Sequence, residues 1–148
     1  MSSVILKPIT DENREECIQL KPKVSQEKYV ASNADSLKKA EKEPSSRPYG
    51  IYAEDVMVGF ALFDEEPYPD DGYFWICRFM IDERYQCRGY GSAALDEILQ
   101  HMKNFTACTK IRISHVPENT VVNQLYKRFG FVETGEVIHG EIVLDLMV

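Results

Sequence analysis

The segment from Asp82 to Ser92, DERYQCRGYGS, joins a strand-like run to a helix-like run and is the richest in chemistry. Gly89 and Gly91 let backbone approach a ligand where a side chain would block it. Amides at the start of the following helix point outward at the positive end of its dipole, which suits a phosphate or pyrophosphate, and Arg88 adds a full positive charge. Glycines at a strand-to-helix turn are also ordinary turn residues, so the segment alone leaves both readings open. The segment lacks the GK followed by Ser or Thr of a Walker loop, and it lacks the third glycine of a dinucleotide fingerprint. Metal and disulfide chemistry find little support. Cys17, Cys77, Cys87 and Cys108 form no CxxC pair and His101, His115 and His139 are scattered, so no zinc framework is visible and free thiols are expected.

The surrounding elements must position this segment. Val4 to Ile9 reads as a strand, with Thr10 as helix N-cap before Cys17, Ile18 and Leu20. Gln26 to Val30 and Asp35 to Ala40 form an interrupted helical region that ends near Pro44. Tyr49 to Ala53 and Val56 to Phe63 read as a hairpin turning at Glu54 and Asp55. Asp64 to Gly72 is a loop and Tyr73 to Ile81 a strand. Beyond Gly91, the spacing of Ala93, Ala94, Leu95, Ile98, Leu99 and Met102 predicts a helix. Ile111 to Val116 is a strand. Asn119 caps a helix carrying Val122, Leu125, Tyr126 and Phe129, which Gly130 ends in a left-handed conformation. Val132 to Val137 and Ile142 to Val148 close the chain as strands around His139 and Gly140.

A length of 148 residues suits one domain, 1–148, and 44% hydrophobic with 28% charged residues is globular composition. The net charge of -7 argues against nucleic acid as partner, because phosphate binding needs a basic footprint. No signal-peptide pattern is seen, and no run approaches the roughly 20 apolar residues of a membrane helix, so a cytoplasmic protein with no membrane partner is expected. The acidity is segregated. Pro48 to Cys77 holds seven acids and no Lys or Arg, Phe129 to Val148 holds four acids and again no Lys or Arg, and the remainder carries 13 acids against 17 bases.

Gln86, Gly89 and Gly91 match Q/R-x-x-G-x-G/A, the acyl-CoA signature of the GNAT superfamily of N-acetyltransferases, which the chain resembles. Asn119 to Phe131, NTVVNQLYKRFGF, is similar to that family's N-x-x-A-x-x-L-Y-x-K-x-G-F, with Val122 for Ala and Arg128 for Lys. Gln26 to Val30, Ser36-Leu37, Trp75 to Asp82, Gly135-Glu136 and Gly140-Glu141 further resemble bacterial spermine/spermidine acetyltransferases of the Blt type. The resemblance implies an α/β fold of the GNAT type, with a mixed, mostly antiparallel sheet of about seven strands flanked by about four helices. It implies acetyl-CoA as co-substrate and no metal. Backbone of Phe79, Met80 and Ile81 would pair with the pantetheine arm. The amides of Gln86, Cys87, Arg88, Gly89, Tyr90, Gly91 and Ser92 would hold the pyrophosphate, and Asn119 would lie near the pantetheine. Tyr126 would face the thioester sulfur, where a phenol of reference pKa about 10 can protonate the departing thiolate; without the motif, core packing would be its favoured role. Relatives of this kind commonly form homodimers.

The implied acceptor is a small-molecule amine, with a polyamine preferred, attacking acetyl-CoA directly. Protein amines, aminoglycosides and a non-catalytic acyl-CoA sensor are the alternatives. Period-two alternation points Cys77 the same way as Phe79 and Ile81. Similar polyamine enzymes tend to carry an acid at that position, and packing is the favoured role of the thiol over a nucleophilic one. An ordered water draining to Glu141, Glu27 or a loop acid is the expected route for the amine proton. Carboxylates of the 64–71 loop, Glu65 and Glu66 among them, would attract a polycation, while Tyr68, Tyr73, Phe74 and Trp75 would cover its methylenes or serve as strand core.

Overall fold

The structure, a computed structural model, describes residues 3–148 except 30 and 44; Val30 and Pro44, which bound two of the predicted segments, lie outside the described residues. One seven-stranded sheet is built from β1 (Ile5–Pro8), β2 (Ser46–Ala53), β3 (Val56–Asp64), β4 (Phe74–Ile81), β5 (Lys110–His115), β6 (Val132–Ile138) and β7 (Glu141–Met147). Its order is β1-β2-β3-β4-β5-β7-β6, and every neighbouring pair is antiparallel except β4 and β5. The helices are α1 (Arg14–Gln19), α2 (Asn33–Lys42), α3 (Tyr90–Lys103) and α4 (Thr120–Arg128), with short 3₁₀ turns at Val24–Tyr29 and Glu83–Tyr85. This is the expected mixed, mostly antiparallel sheet with four helices.

Local chemistry explains most of the boundaries. Glu54 takes φ +55° in the β2–β3 turn, and His139 and Gly140, at φ +52° and +80°, form the left-handed pair that joins β6 to β7. Gly130 ends α4 at φ +99°, where the Phe131 amide donates to the Tyr126 carbonyl. Two expected caps differ from the prediction. The Thr10 hydroxyl accepts only from the Glu12 amide at 3.3 Å, and the Asn13 carboxamide accepts from the Thr10 amide at 2.7 Å, so a turn intervenes and α1 begins at Arg14. Asn119 does precede α4, but among the described residues its side chain makes no capping bond.

The sheet separates two apolar layers. On one face Leu95, Ile98, Leu99 and Met102 of α3 pack with Phe63, Phe74, Ile76, Ile111 and Ile113, with Tyr126 at the edge of that layer. On the other face Cys17, Leu20 and Leu37 of α1 and α2 pack against Phe60, Leu62 and Met80. Leu62 aligns with Arg78 while Phe63 aligns with Ile76, so Cys77 is the extra residue of a β-bulge. The bulge breaks the alternation. Phe79 and Ile81 pack in the α3 layer, whereas Cys77 packs in the α1–α2 layer with Met80, which corrects the expectation that the three share a face.

Candidate active site

The same bulge lies where the two central strands part. β4 pairs with β5 only from Phe74 to Ile76, opposite Ile111 to Ile113, while β3 follows β4 to Ile81. The β5-facing edge of the last β4 residues therefore opens onto a groove of about 360 Å³. Phe79, Met80, Ile81, Gln86, Cys87, Gly89, Tyr90, Gly91, Ser92 and Asn119 all line it. Arg88 lies instead in the wall of a neighbouring cavity, with its guanidinium carbon 5.8 Å from the centre of the Tyr85 ring.

The loop between β4 and α3 is held from below. The Asp82 carboxylate accepts from the amides of Lys21 and Arg84, each at 2.9 Å, and from Arg84 Nε at 2.8 Å. Burial works against its charge, but these hydrogen bonds outweigh it and hold the carboxyl below its ordinary value. The Gln86 amide donates to the Ile81 carbonyl and to Gln26 Oε1, both at 2.9 Å, so this motif side chain braces the loop rather than facing a ligand. Cys87 at φ +64° and Gly89 at φ +84° turn the backbone outward before α3. The first amides of that 14-residue helix have no acceptor within the helix, and its opening residues carry no acid. A Cβ at Gly91 would meet nothing nearer than Leu125 Cδ2 at 3.9 Å, so the protein's own packing does not demand glycine there.

A second cavity of about 330 Å³ adjoins the groove, sharing Tyr29, Phe79, Asn119 and Val122 with it. Its walls bring together Cys77 and Arg78 from the bulge, Ser114 and His115 from β5, Tyr126 from α4 and Glu141 from β7. Tyr126 is 4% exposed, and burial, reinforced by the nearby Glu141 carboxylate, raises its hydroxyl pKa well above the ordinary value. Glu141 accepts from the Ser114 hydroxyl at 2.8 Å. Burial and then the Asp64 charge push the Cys77 thiol up to about 11. His115 was not singled out in the sequence, although its place at the carboxyl end of a strand just before the Asn119 motif is a usable signal. Its Nδ1 lies 2.7 Å from the Val116 carbonyl and its Nε2 lies 2.8 Å from the Asn123 amide nitrogen. Both ring nitrogens are therefore engaged in hydrogen bonds. A neutral thiol and an occupied imidazole argue against a nucleophilic Cys77.

The model of the Acetyltransferase (GNAT) family matches residues 9–131. The chain belongs to the GNAT acetyltransferase family. It is 36% identical over 147 residues to the spermine/spermidine N(1)-acetyltransferase of Bacillus subtilis strain 168, covering 96% of this chain and 97% of that one. Among solved structures, an aminoglycoside acetyltransferase with coenzyme A superposes with TM-score 0.81 at 17% identity over 98% of this chain and 95% of that one. The acetyltransferase that modifies the N-terminal serine of ribosomal protein L7/L12 from Salmonella typhimurium gives 0.78 at 18% identity, covering 100% and 96%. This GNAT protein is therefore an N-acetyltransferase, and coenzyme A is bound in a neighbour of the same fold.

The remaining acceptor-side candidates of this acetyltransferase separate in space. Glu27 is exposed on the 3₁₀ turn whose neighbours Gln26 and Lys28 line the groove and the pocket. Glu65 lies elsewhere: it accepts from the Tyr49 hydroxyl at 2.5 Å and its Oε2 is 2.6 Å from His101 Nε2 on α3. Glu66 is exposed in the loop. Trp75 donates its indole N–H to Asp71 at 2.8 Å, and its ring faces the Arg112 guanidinium at 5.9 Å. Tyr73 is likewise covered by the chain's own cations, Lys110 at 4.3 Å and Arg112 at 4.6 Å. The segregated acidity also dissolves. In the tail, Asp145 pairs with Arg112 and Lys110, Glu136 with Arg112 and Glu133 with Lys127. Glu54 shares a cavity wall with Arg88, and Asp64 is fully buried. Among the described residues, no group of three His, Cys, Asp or Glu side chains is placed to hold a metal ion, and no helix is long and apolar enough to cross a membrane.

Proposed function

We propose that this N-acetyltransferase moves the acetyl group of acetyl-CoA onto a primary amine of a polyamine, by direct attack while both substrates are bound. The observation that carries the reading is the junction of groove and pocket at Phe79, Asn119 and Val122, with the buried Tyr126 hydroxyl on the pocket side. Groups present in the groove fit acetyl-CoA. The open β4 edge at Phe79, Met80 and Ile81 can pair with the amides of the pantetheine arm as an added strand. The outward-turned loop and the free first amides of α3 hold the pyrophosphate, and the open space at Gly91 leaves room for it. Bound there, acetyl-CoA supplies an activated thioester.

The residues of the chain then divide the work. Tyr126, kept protonated by its burial, gives its proton to the departing sulfur. Glu141, held by Ser114 in the pocket wall, draws the ammonium of the acceptor, with Glu27 at the rim as a second carboxylate for a longer polycation. Glu65 is committed to Tyr49 and His101 and has no part in this reading. The polyamine assignment draws support from the spermine/spermidine N(1)-acetyltransferase relative. Release of the CoA thiol, measured across spermidine, spermine, an aminoglycoside and a peptide with a free N-terminus, tests it. Polyamines are expected to give the highest kcat/KM; a preference for another amine would move the assignment, and no turnover with any amine would indicate a sensor.

A further inference from the structure

Behind the wall of the acceptor pocket lies a buried carboxylate that the scheme above does not use. Asp64, at the end of β3, is 0% exposed and accepts three hydrogen bonds: from Ser45 Oγ at 3.1 Å, Ser46 Oγ at 2.8 Å and the Trp75 amide at 2.8 Å. Ser46, itself 1% exposed, has its oxygen 3.7 Å from the sulfur of Cys77. A hydroxyl carries one proton, and that of Ser46 is donated to Asp64, so in the Ser46–Cys77 contact the thiol must be the donor. The hydrogen bonds therefore run in one direction, from the thiol of Cys77, a residue that lines the pocket, through Ser46, to Asp64.

We infer that Cys77 and Ser46 form a proton path from the acceptor amine to Asp64, which serves as the buried proton acceptor of the reaction. The inference rests on the amine occupying the pocket beside Tyr126. In the step, an N–H bond of the ammonium breaks as an S–H bond forms on Cys77, the original thiol proton passes to Ser46 Oγ, and the serine proton passes to Asp64 Oδ1. One proton moves in total: the amine becomes neutral and nucleophilic, the carboxylate becomes a carboxylic acid, and thiol and hydroxyl end as they began. The stored proton returns to pocket water by the reverse path.

The surroundings suit this role. Among the described residues every donor to Asp64 is neutral, the carboxylate of Asp71 and the Tyr68 hydroxyl face it, and burial raises its pKa, making it a stronger base than an exposed aspartate. Lys39 from α2 and Arg78 face the thiol, yet burial and Asp64 keep that thiol protonated, as a relay that donates a proton requires. Glu141, by contrast, stands in the pocket wall itself, where it can hold the substrate.

Steady-state kinetics with spermidine from about pH 6 to about pH 10 test the path, since that range spans ordinary thiol behaviour and approaches that of an amine. Ser46→Ala leaves Asp64 its bonds from Ser45 and Trp75; it should lower kcat about 10²-fold at neutral pH, leave KM for acetyl-CoA unchanged, and regain rate at high pH, where the amine loses its proton unaided. Cys77→Ala should do the same, while Cys77→Ser, which keeps a group able to accept and donate, should retain most of the rate, and Cys77→Asp should bypass the path and stay active. Asp64→Asn should follow Ser46→Ala; if it does not fold, the Cys77 pair decides. Unchanged rates and pH profiles in Ser46→Ala and Cys77→Ala, a loss that high pH does not recover, or equal losses in Cys77→Ser and Cys77→Ala overturn the path alone. A wild-type enzyme that acetylates no amine overturns the proposed function and the path with it.

Discussion

The groove proposed for the cofactor and the pocket proposed for the acceptor meet at Phe79 and Asn119 but are built on opposite plans. The groove draws most of its expected residues from one continuous stretch, 79–92. The pocket gathers residues from four separate elements, β4, β5, α4 and β7. Two buried aspartates on either side of β4 show what this difference means for charge. Asp82, under the groove, is bonded by a guanidinium and two amides, and these overcome burial to lower its pKa. Asp64, behind the pocket, has only neutral donors among the described residues and a nearby Asp71, so burial prevails and its pKa rises. Burial is common to both, and the charge of the partner decides the sign.

The largest expected effect sits where groove and pocket meet. Tyr126→Phe should lower kcat on the order of 10²-fold while leaving acetyl-CoA affinity unchanged, as measured by turnover and calorimetric titration. An unchanged kcat would remove the phenol from the acid role. Next is a change that should separate stability from binding on the groove side. Gly91→Leu has room for its Cβ and replaces a poor helix former, so thermal unfolding should not fall, whereas affinity for coenzyme A should drop roughly 10-fold or more because the side chain fills the cradle. Loss of both would mean that Gly91 serves folding.

On the pocket side, two carboxylates should behave differently. Glu141→Gln is expected to raise KM for spermidine about 10-fold, the value of roughly 1.4 kcal/mol of lost charge attraction, with KM for acetyl-CoA constant. Glu65→Gln should leave both KM values alone and lower stability by about 1 kcal/mol, since its partners are Tyr49 and His101. Exchanged outcomes would return the loop to the substrate site. The smallest effect is a difference in pH dependence. A carboxyl with a depressed folded pKa adds stability above its unfolded value of 3.8 and loses that contribution as pH falls through the folded value, so Asp82 should help at neutral pH and less in acid. A raised pKa has the opposite sign: Asp64 should cost stability above its folded pKa, and the cost should fade as pH drops toward 3.8. Denaturant unfolding of Asp82→Asn and Asp64→Asn across acid to neutral pH should give slopes of opposite sign relative to wild type, and equal slopes would deny the contrast.

The order of elements and the loop at Asp82 to Ser92 were legible in the sequence because they depend on neighbours in the chain. Helical spacing marked α3, Gly130 marked the end of α4, and glycines bracketing Tyr90 marked a backbone that a ligand can approach. The bulge at Cys77 was not legible, because it exists only in the register between β3 and β4, and it moved the thiol to the opposite face from Phe79 and Ile81. The acidic stretches misled for a similar reason. Asp145 and Glu136 looked like free charge until β5 brought Arg112 beside them, and Tyr73 and Trp75 looked available to a polycation until the same arginine lay over their rings.

The sequence by itself determined what contiguous residues can do: strand, turn, helix and a loop whose amides suit a phosphate, because backbone geometry is set by residues next to one another. Only the tertiary structure decided which carboxylates face the pocket proposed for the acceptor, which are neutralised and which is buried as a candidate base. A carboxylate's charge and reach depend on the partners that distant segments place around it, and strand pairing and helix packing together assign those partners.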